Sequence, residues 1–573
     1  MQEKFWLRHY PPQVPADINP DAYTSLVDLF DQTTARFSHT KAVSNFGTDL
    51  TYTALADLSK HFAAWLQQAA GLKKGDRFAI MLPNILQYYV AMMGALRAGL
   101  VVVNVNPLYT SDELQHQLSD AQVDTILVMT NFAHTVETAL PNTPIKKVII
   151  TEIGDLFSFP KSFVFNIAAR YLKKGIVPFH IPQAIAFKTA LAQGKKLSLQ
   201  PISLDHHDTA FLQYTGGTTG VPKGAVLSHG NIVANVEQAT AWIKSAGLIE
   251  GKEIILAPLP LYHIFSLNVC GFCFLKLGGK AVLITNPRDM PHFLKVLKRT
   301  PYTVFVGINT LFNGLLQQTD FSALSFKALK LVVAGGMPLQ KTVAEKWLAV
   351  TGIPILEGYG LTEASPIVTI NPPGSAVGWA KDPAVFAGDV PTLPVLKSNS
   401  IGLPVPSTNV AIRDDNNQDV AIGQVGELCV SGPQVMREYW HNIAETKQVF
   451  TPDGWLKTGD IARFDEDGFL YIVDRKKDMI LVSGFKVYPN EIEAVIAQQP
   501  GVKEVAVVGV PSDTSGEAVK AFVVRSDPAL TAKDVIIFCR QHLTGYKTPH
   551  LVEFRDELPK SAVGKILRRE LQK

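Results

Sequence analysis

The 573-residue sequence is poor in charge and in cysteine, and it has no long apolar run. Charged residues make up 18% and the net charge is only +3. That balance provides no strong basic field, which argues against nucleic acid as a partner. The four cysteines, Cys270, Cys273, Cys429 and Cys539, are too scattered for a disulfide framework. They fit a reducing, cytoplasmic compartment. Cys270 and Cys273 form a C-x-x-C, but their surroundings from 267 to 277 are almost all apolar. They read as two small buried residues on a core helix rather than as a metal or redox pair. Apolar stretches such as 266–275 fall short of the roughly 18 residues that a spanning helix needs. The opening residues MQEKFWLRHYPPQ hold no apolar h-region, which speaks against a signal peptide.

What is present points to layered α/β structure. Hydrophobic residues reach 47%, enough for a sizeable core. The length predicts a large multi-layer body with at least one smaller unit. Residues 125–129 and 147–151 read as buried strands, and 55–68 and 111–119 as amphipathic helices. In 161–174, Phe163, Val164, Ile167, Ala168, Tyr171 and Leu172 share one helical face, and Arg170, Lys173 and Lys174 add charge. Such a helix can lie on a membrane surface or dock on the protein's own core. Residues 374–400, rich in Pro, Gly, Ala and Ser, read as a surface excursion. A boundary falls at 474–477. Beyond it, 480–487 reads as a strand. A helix starts at Pro489, with Asn490 as its cap and Glu493 reaching back. Strands at 502–510, 518–524 and 551–555 and a helix at 533–542 complete a small α+β unit.

The chemistry concentrates in short motifs. Tyr214-Thr-Gly-Gly-Thr-Thr-Gly-Val-Pro-Lys-Gly224 packs glycines, hydroxyls and a cation into one turn. Gly216, Gly217 and Gly220 let backbone N–H groups approach an anion, and Thr215, Thr218, Thr219 and Lys223 add donors, a set that suits a polyphosphate. It is not a Walker A loop, because no G-K-[S/T] closes it. Its flanks, 211–213 and 225–228, look like strands. Tyr359 sits between Gly358 and Gly360, where a purine could stack on it with Gly335 and Gly336 on the other side. Glu363 is a hard ligand suited to Mg²⁺, and Thr362 beside it can bond a phosphate. His263 follows an apolar, strand-like run and suits either a site residue or a satisfied core histidine. Lys565 lies near the C-terminus after Gly564. By composition it reads as solvated, like its neighbours Arg568 and Arg569.

These motifs occur together and in order: the 214–224 loop, Ala334-Gly-Gly-Met337, Glu357-Gly-Tyr-Gly-Leu-Thr-Glu363, Gly454-Trp-Leu-Lys-Thr-Gly-Asp460, Asp474-Arg-Lys-Lys477 and Pro559-Lys-Ser-x-x-Gly-Lys565. The set resembles the adenylate-forming superfamily of acyl-CoA synthetases, luciferases and peptide-synthetase adenylation domains. Residues 213–223, 259–265 and 543–547 look most like bacterial long-chain fatty acyl-CoA synthetases.

The resemblance implies an α/β fold, with a large N-terminal body of layered α/β subdomains plus a β-barrel-like part, 1–473. A hinge, 474–477, pivots on Lys477, and a small α+β C-terminal domain, 478–573, carries the catalytic lysine. It implies ATP, Mg²⁺ and coenzyme A, with a long-chain fatty acid as the acid. Lys565, Thr362, Glu363 and His263 are the expected catalytic residues. The 214–224 loop, Gly335, Gly336, Glu357–Gly360, Asp460 on the ribose, Arg475 and Gly484 on the pantetheine path are the expected binding residues. It leaves open a homodimer and peripheral contact with the inner membrane through 161–174. Three other readings stand beside it: an acyl-AMP ligase that loads a carrier protein, a ligase for medium-chain or aryl acids, and a non-catalytic binding protein that kept the fold.

Overall fold

The computed structural model describes residues 4–169, 176–216, 222–373, 397, 399–512, 515–561 and 564–572. Two large sheets build the body. One has nine strands, in the spatial order Leu403–Pro404, Ile367–Ile370, Ile355–Gly360, Leu331–Ala334, Val304–Gly307, Ile254–Ala257, Lys280–Leu283, Lys41–Asn45 and Thr48–Thr51. The other has seven: Ile185–Ala186, Lys147–Thr151, Thr125–Met129, Arg77–Met81, Val101–Asn104, Thr209–Gly216 and Pro222–Ser228. Most neighbours run parallel, and runs such as Val304-Phe-Val-Gly307 and Leu331-Val-Val-Ala334 are apolar throughout because both faces are covered. The helix Leu86–Arg97 is buried along its whole length and touches strands of both sheets.

The expected strands at 125–129 and 147–151 form as read. The expected helices run slightly longer, as Tyr52–Gln68 and Ser111–Asp120. A capping box between Thr110 and Glu113 starts the second of these. The barrel-like part takes the form of a four-stranded antiparallel meander, Asn409–Arg413, Gly426–Ser431, Leu456–Phe464 and Leu470–Arg475. The C-x-x-C lies on a wide-turn helix, Leu267–Cys273, where both thiols are free and buried, and Cys273 bonds Asn268 Oδ1 at 2.9 Å. No helix among the described residues is long and apolar enough to cross a membrane.

The small unit has its own core, with Ile480, Val487, Ile492, Val507, Val523 and Cys539 in one cluster. Strands Val502–Ser512 and Gly516–Arg525 form its long hairpin, and Leu551–Phe554 joins in parallel. Helices Pro489–Ile496 and Ala532–His542 pack against this sheet.

Two expectations need correction here. Residues 480–487 are not one strand but a tight hairpin, Ile480–Val482 and Phe485–Val487, because Ser483 and Gly484 both take positive φ. Only a turn with that twist joins two strands through two residues, and glycine adopts it without strain. The helix at Pro489 starts where expected, but Asn490 and Glu493 do not cap it. Tyr488 is the N-cap, with no side-chain cap bond. Asn490 and Glu493 instead turn to Arg568.

The helix Lys161–Ile167 docks through Phe165, which packs on Phe46 and Phe157, while Phe163 and Val164 stay 61% and 57% exposed. Arg170, Tyr171, Leu172, Lys173 and Lys174 lie outside the described residues, as does most of the 374–400 excursion. Lys397, at its end, pairs with Asp465 and Asp467 at 2.6 Å each.

Candidate active site

Parallel strands gather ligand sites at their carboxyl ends. Here the chain segments that leave Ile254–Ala257, Val304–Gly307 and Leu331–Ala334, together with the Ile355–Gly360 strand end itself, line one cleft of about 2590 Å³. The cleft gathers Tyr214, Thr215, Lys223, His263, Gly335, Gly336, Glu357, Gly358, Tyr359, Gly360, Thr362, Glu363, Asp460, Arg475, Lys477 and Lys565. These positions are spread over 350 residues of sequence. Gly217, Thr218, Thr219 and Gly220, at the tip of the glycine-rich loop, lie outside the described residues. The loop's flanks pair as an antiparallel hairpin, as expected, with Gly216 opposite Pro222. Gly484 does not line the cleft. It sits at the hairpin tip with φ +84° and open space around it.

The hairpin is anchored on both arms. Tyr214 OH donates to the carboxylate of Asp120, the last residue of the Ser111–Asp120 helix. Lys223 pairs with Glu445 at 2.5 Å and lies over the Tyr439 ring. Tyr439 OH donates to Glu363 Oε1 at 2.6 Å. Burial, and then the Glu363 charge, hold that phenol far above its ordinary pKa, so it remains a donor. Asp120, Glu445 and Tyr439 carried no motif signal, because each acts through a partner distant in sequence.

Gly335 and Gly336 follow the strand Leu331–Ala334, whose Ala334 pairs with Glu357 in parallel register. A Cβ at Gly335 would stand 3.4 Å from the Gly358 carbonyl oxygen and 3.3 Å from Phe265. The two strand ends therefore approach closely beside Tyr359, with the Phe265 ring against Gly335. Tyr359 OH donates to Asp460 Oδ2 at 2.5 Å, and Arg475 Nε meets Asp460 Oδ1 at 2.7 Å. Antiparallel pairing sets Asp460 opposite Arg475 on neighbouring strands. Burial pushes the Glu357 carboxyl up to about 7, so near neutral pH it is divided between acid and carboxylate.

Lys565 reaches this group from the small unit. Gly564 before it has φ +81°, and a Cβ there would stand 2.8 Å from Thr310 Oγ1 and 2.9 Å from Ile308 Cδ1. The tail loop is thus seated against the body. Lys565 stays exposed to solvent, but desolvation by the surrounding walls, and then Arg475, draw its ammonium down to about 8. His263 is half-buried at the start of the short turn Ile264–Ser266, where its Nδ1 accepts from the Phe265 N–H at 3.4 Å. Burial, and then the Lys565 charge, lower its pKa to about 4, so the imidazole is neutral. The arrangement accordingly faces Lys565 toward His263 and Asp460. The cleft lining also includes apolar side chains, among them Ala239, Ile243, Val269, Cys273 and Val333.

Comparison with known proteins fits this geometry. The model of the AMP-binding enzymes matches residues 30–440, and that of their C-terminal domain matches 491–565. The long-chain-fatty-acid–CoA ligase of Escherichia coli O6:H1 is 53% identical over 570 residues, covering 100% of this chain and 98% of its own. Among solved structures, ATP-bound MatB from Rhodopseudomonas palustris superposes with TM-score 0.75 at 28% identity, covering 95% of this chain and 98% of that one. An anthranilate CoA ligase in complex with anthranoyl-AMP shares the fold, with TM-score 0.81 at 22% identity and coverage of 97% and 98%. With its ordered motifs gathered in one cleft and both family models matched, the chain belongs to the AMP-binding enzymes, the adenylate-forming superfamily.

Proposed function

We propose that the chain is an ATP-dependent, AMP-forming long-chain fatty acid–CoA ligase. The observation that carries this reading is the convergence of Lys565, His263, Asp460 and Glu363 on one cleft whose lining also includes apolar side chains. A carboxylate is a poor electrophile with a poor leaving group. Its attack on the α-phosphate of ATP gives an acyl-AMP and releases pyrophosphate, and a CoA thiolate then attacks the acyl carbon and expels AMP.

Each residue has a part in the first step. Asp460, already an acceptor for Tyr359 and Arg475, takes the ribose hydroxyls. The purine enters between Gly335–Gly336 and Tyr359, and the 214–224 loop cradles the outer phosphates. Thr362 bonds the α-phosphate. Lys565 bridges carboxylate and α-phosphate as charge builds in the transition state. Neutral His263 borders the acyl carboxylate without adding a second cation. Among the described residues no group of three or more His, Cys, Asp or Glu is placed to hold a metal. Glu363, which already accepts from Tyr439, would hold Mg²⁺ together with phosphate oxygens, and the ion would neutralise phosphate charge.

For the second step the small unit turns about Lys477 and brings Gly484 to the pantetheine path. The domains are accordingly 1–473, the hinge 474–477 and 478–573. Each methylene buried against apolar side chains contributes about 0.8 kcal/mol, so chain-length selectivity is broad. Phe159, Phe163, Val164 and Ile167, exposed at 85%, 61%, 57% and 38%, suit peripheral contact with the inner membrane from the cytoplasmic side. ATP–pyrophosphate exchange that depends on palmitate tests the first step. Palmitoyl-CoA formation on adding CoA separates the ligase from an acyl-AMP ligase. Absence of exchange with every acid supplied would overturn the proposal.

A further inference from the structure

Three residues beyond Lys565, Arg568 opens the terminal turn Arg568–Leu571. It was expected to be solvated, yet its side chain is only 18% exposed. Its guanidinium grips the Glu493 carboxylate through Nη2 at 2.8 and 2.9 Å and through Nε at 3.2 Å. It also donates to Asn490 Oδ1 at 2.6 Å and Asp478 Oδ2 at 3.1 Å, and stands 3.8 Å from Asp474 Oδ1. This fork geometry is one that arginine supplies and lysine does not.

Asp474 opens the 474–477 segment, and the other partners lie beyond it. Asp474 belongs to the strand Leu470–Arg475 of the body's four-stranded meander, and Asn490 and Glu493 belong to the helix Pro489–Ile496 of the small unit. Successive strand residues face opposite ways. Arg475 turns into the cleft to meet Asp460, and Asp474 turns to the small unit. Fully buried, Asp474 accepts the Asn490 backbone N–H at 2.7 Å through Oδ2 and takes the Arg568 charge on its other side. The Glu493 and Asn490 contacts fix the tail onto its own unit. The Asp474 contacts cross the boundary and fix that unit to the body. A buried carboxylate stripped of its counter-charge is strongly unfavourable, so Asp474 favours the orientation in which Arg568 and the Asn490 N–H meet it.

We propose that Arg568 is a positioning residue for acyl-adenylate formation: clamped between Glu493 and Asp474, it holds the Gly564–Lys565 segment in the cleft and latches the orientation in which Lys565 meets ATP. This rests on the role proposed for Lys565. The latch to Asp474 opens when the small unit turns, and the clamp on Glu493 travels with it.

Arg568→Met and Arg568→Lys in the full chain test this. ATP–pyrophosphate exchange with palmitate and thioester formation from supplied palmitoyl-AMP and CoA are measured side by side, with thermal melting. Displacing a catalytic group by an ångström costs about a hundredfold. Exchange in Arg568→Met is expected to fall by about that factor while the thioester step stays near wild type, and Arg568→Lys is expected to fall between. Wild-type exchange in either variant overturns the proposal. So does an equal fall in both half-reactions, which marks a merely structural residue. If Arg568→Met does not fold, the split in Arg568→Lys decides. Full exchange in Lys565→Ala would instead remove the reading of Lys565 itself, whatever Arg568 does.

Discussion

Replacing Lys565 by methionine keeps most of the stem and removes the ammonium. In the cleft without ATP, that ammonium sits at a pKa of about 8 instead of 10.5. The surroundings oppose the charged form, and because Lys565 is exposed to solvent that opposition is screened. A phosphate charge about 4 Å away returns about 4 kcal/mol at an effective dielectric constant near 20. The lysine is therefore fully charged when the phosphates are present, which is when it is needed. Losing one such preorganised donor costs roughly 3–4 kcal/mol of transition-state stabilisation, or about 10²–10³ in rate. Palmitate-dependent ATP–pyrophosphate exchange in Lys565→Met should fall by that factor, while thioester formation from supplied palmitoyl-AMP should stay near wild type. The pH dependence gives a second test. The group is protonated below its pKa and neutral above it, so adenylation kcat/KM for ATP in the wild type should decline as pH rises through about 8. Bound ATP moves the same limb to higher pH in kcat. Exchange retained within about tenfold, or equal loss in both half-reactions, would refute the reasoning.

Gly564→Ala should slow adenylation and spare the thioester step, because a Cβ would collide with Thr310 and Ile308 and unseat the tail; unchanged exchange would show that the tail is not seated there during catalysis. Asp460→Asn should raise KM for ATP by about 10- to 100-fold, as charge-assisted bonds of 1.5–3 kcal/mol are lost. A change confined to KM for the fatty acid would contradict the ribose role. Gly484→Leu should leave pyrophosphate exchange intact and reduce CoA turnover, because its φ of +84° disfavours a side chain and the hairpin tip is reserved for the second step. Normal CoA turnover would count against that path.

The parts of the site that were legible in sequence are those whose chemistry is local. Glycines at 335, 358 and 360 announce close backbone approach, and Gly335 and Gly360 would each drive a Cβ toward a neighbouring carbonyl, whereas Gly336 takes positive φ with open space around it. The apolar runs of the parallel strands were legible because burial on both faces erases alternation. The rest was hidden because it depends on residues that meet only in three dimensions. Asn490 and Glu493 have the spacing of a capping box, and nothing in that spacing says that an arginine 75 positions away from Glu493 claims both side chains. Tyr439 reads as one aromatic among many until Glu363 is beside it. The C-x-x-C was rightly read as core, but that Cys273 also lines the cleft emerges only from the packing of the helices.

On the reading proposed here, the charges around Lys565 also set the order of events. Arg475 on the body, Lys477 at the hinge and Lys565 on the tail bring like charges together, with Asp460 set against them. Such a group is held closed by whatever polyanion lies between its members. ATP therefore acts as the mortar of the first orientation as well as its substrate. When pyrophosphate leaves, most of that negative charge leaves with it, and the repulsion that remains favours the turn toward CoA. Departure of the first product is in this sense the signal for the second reaction.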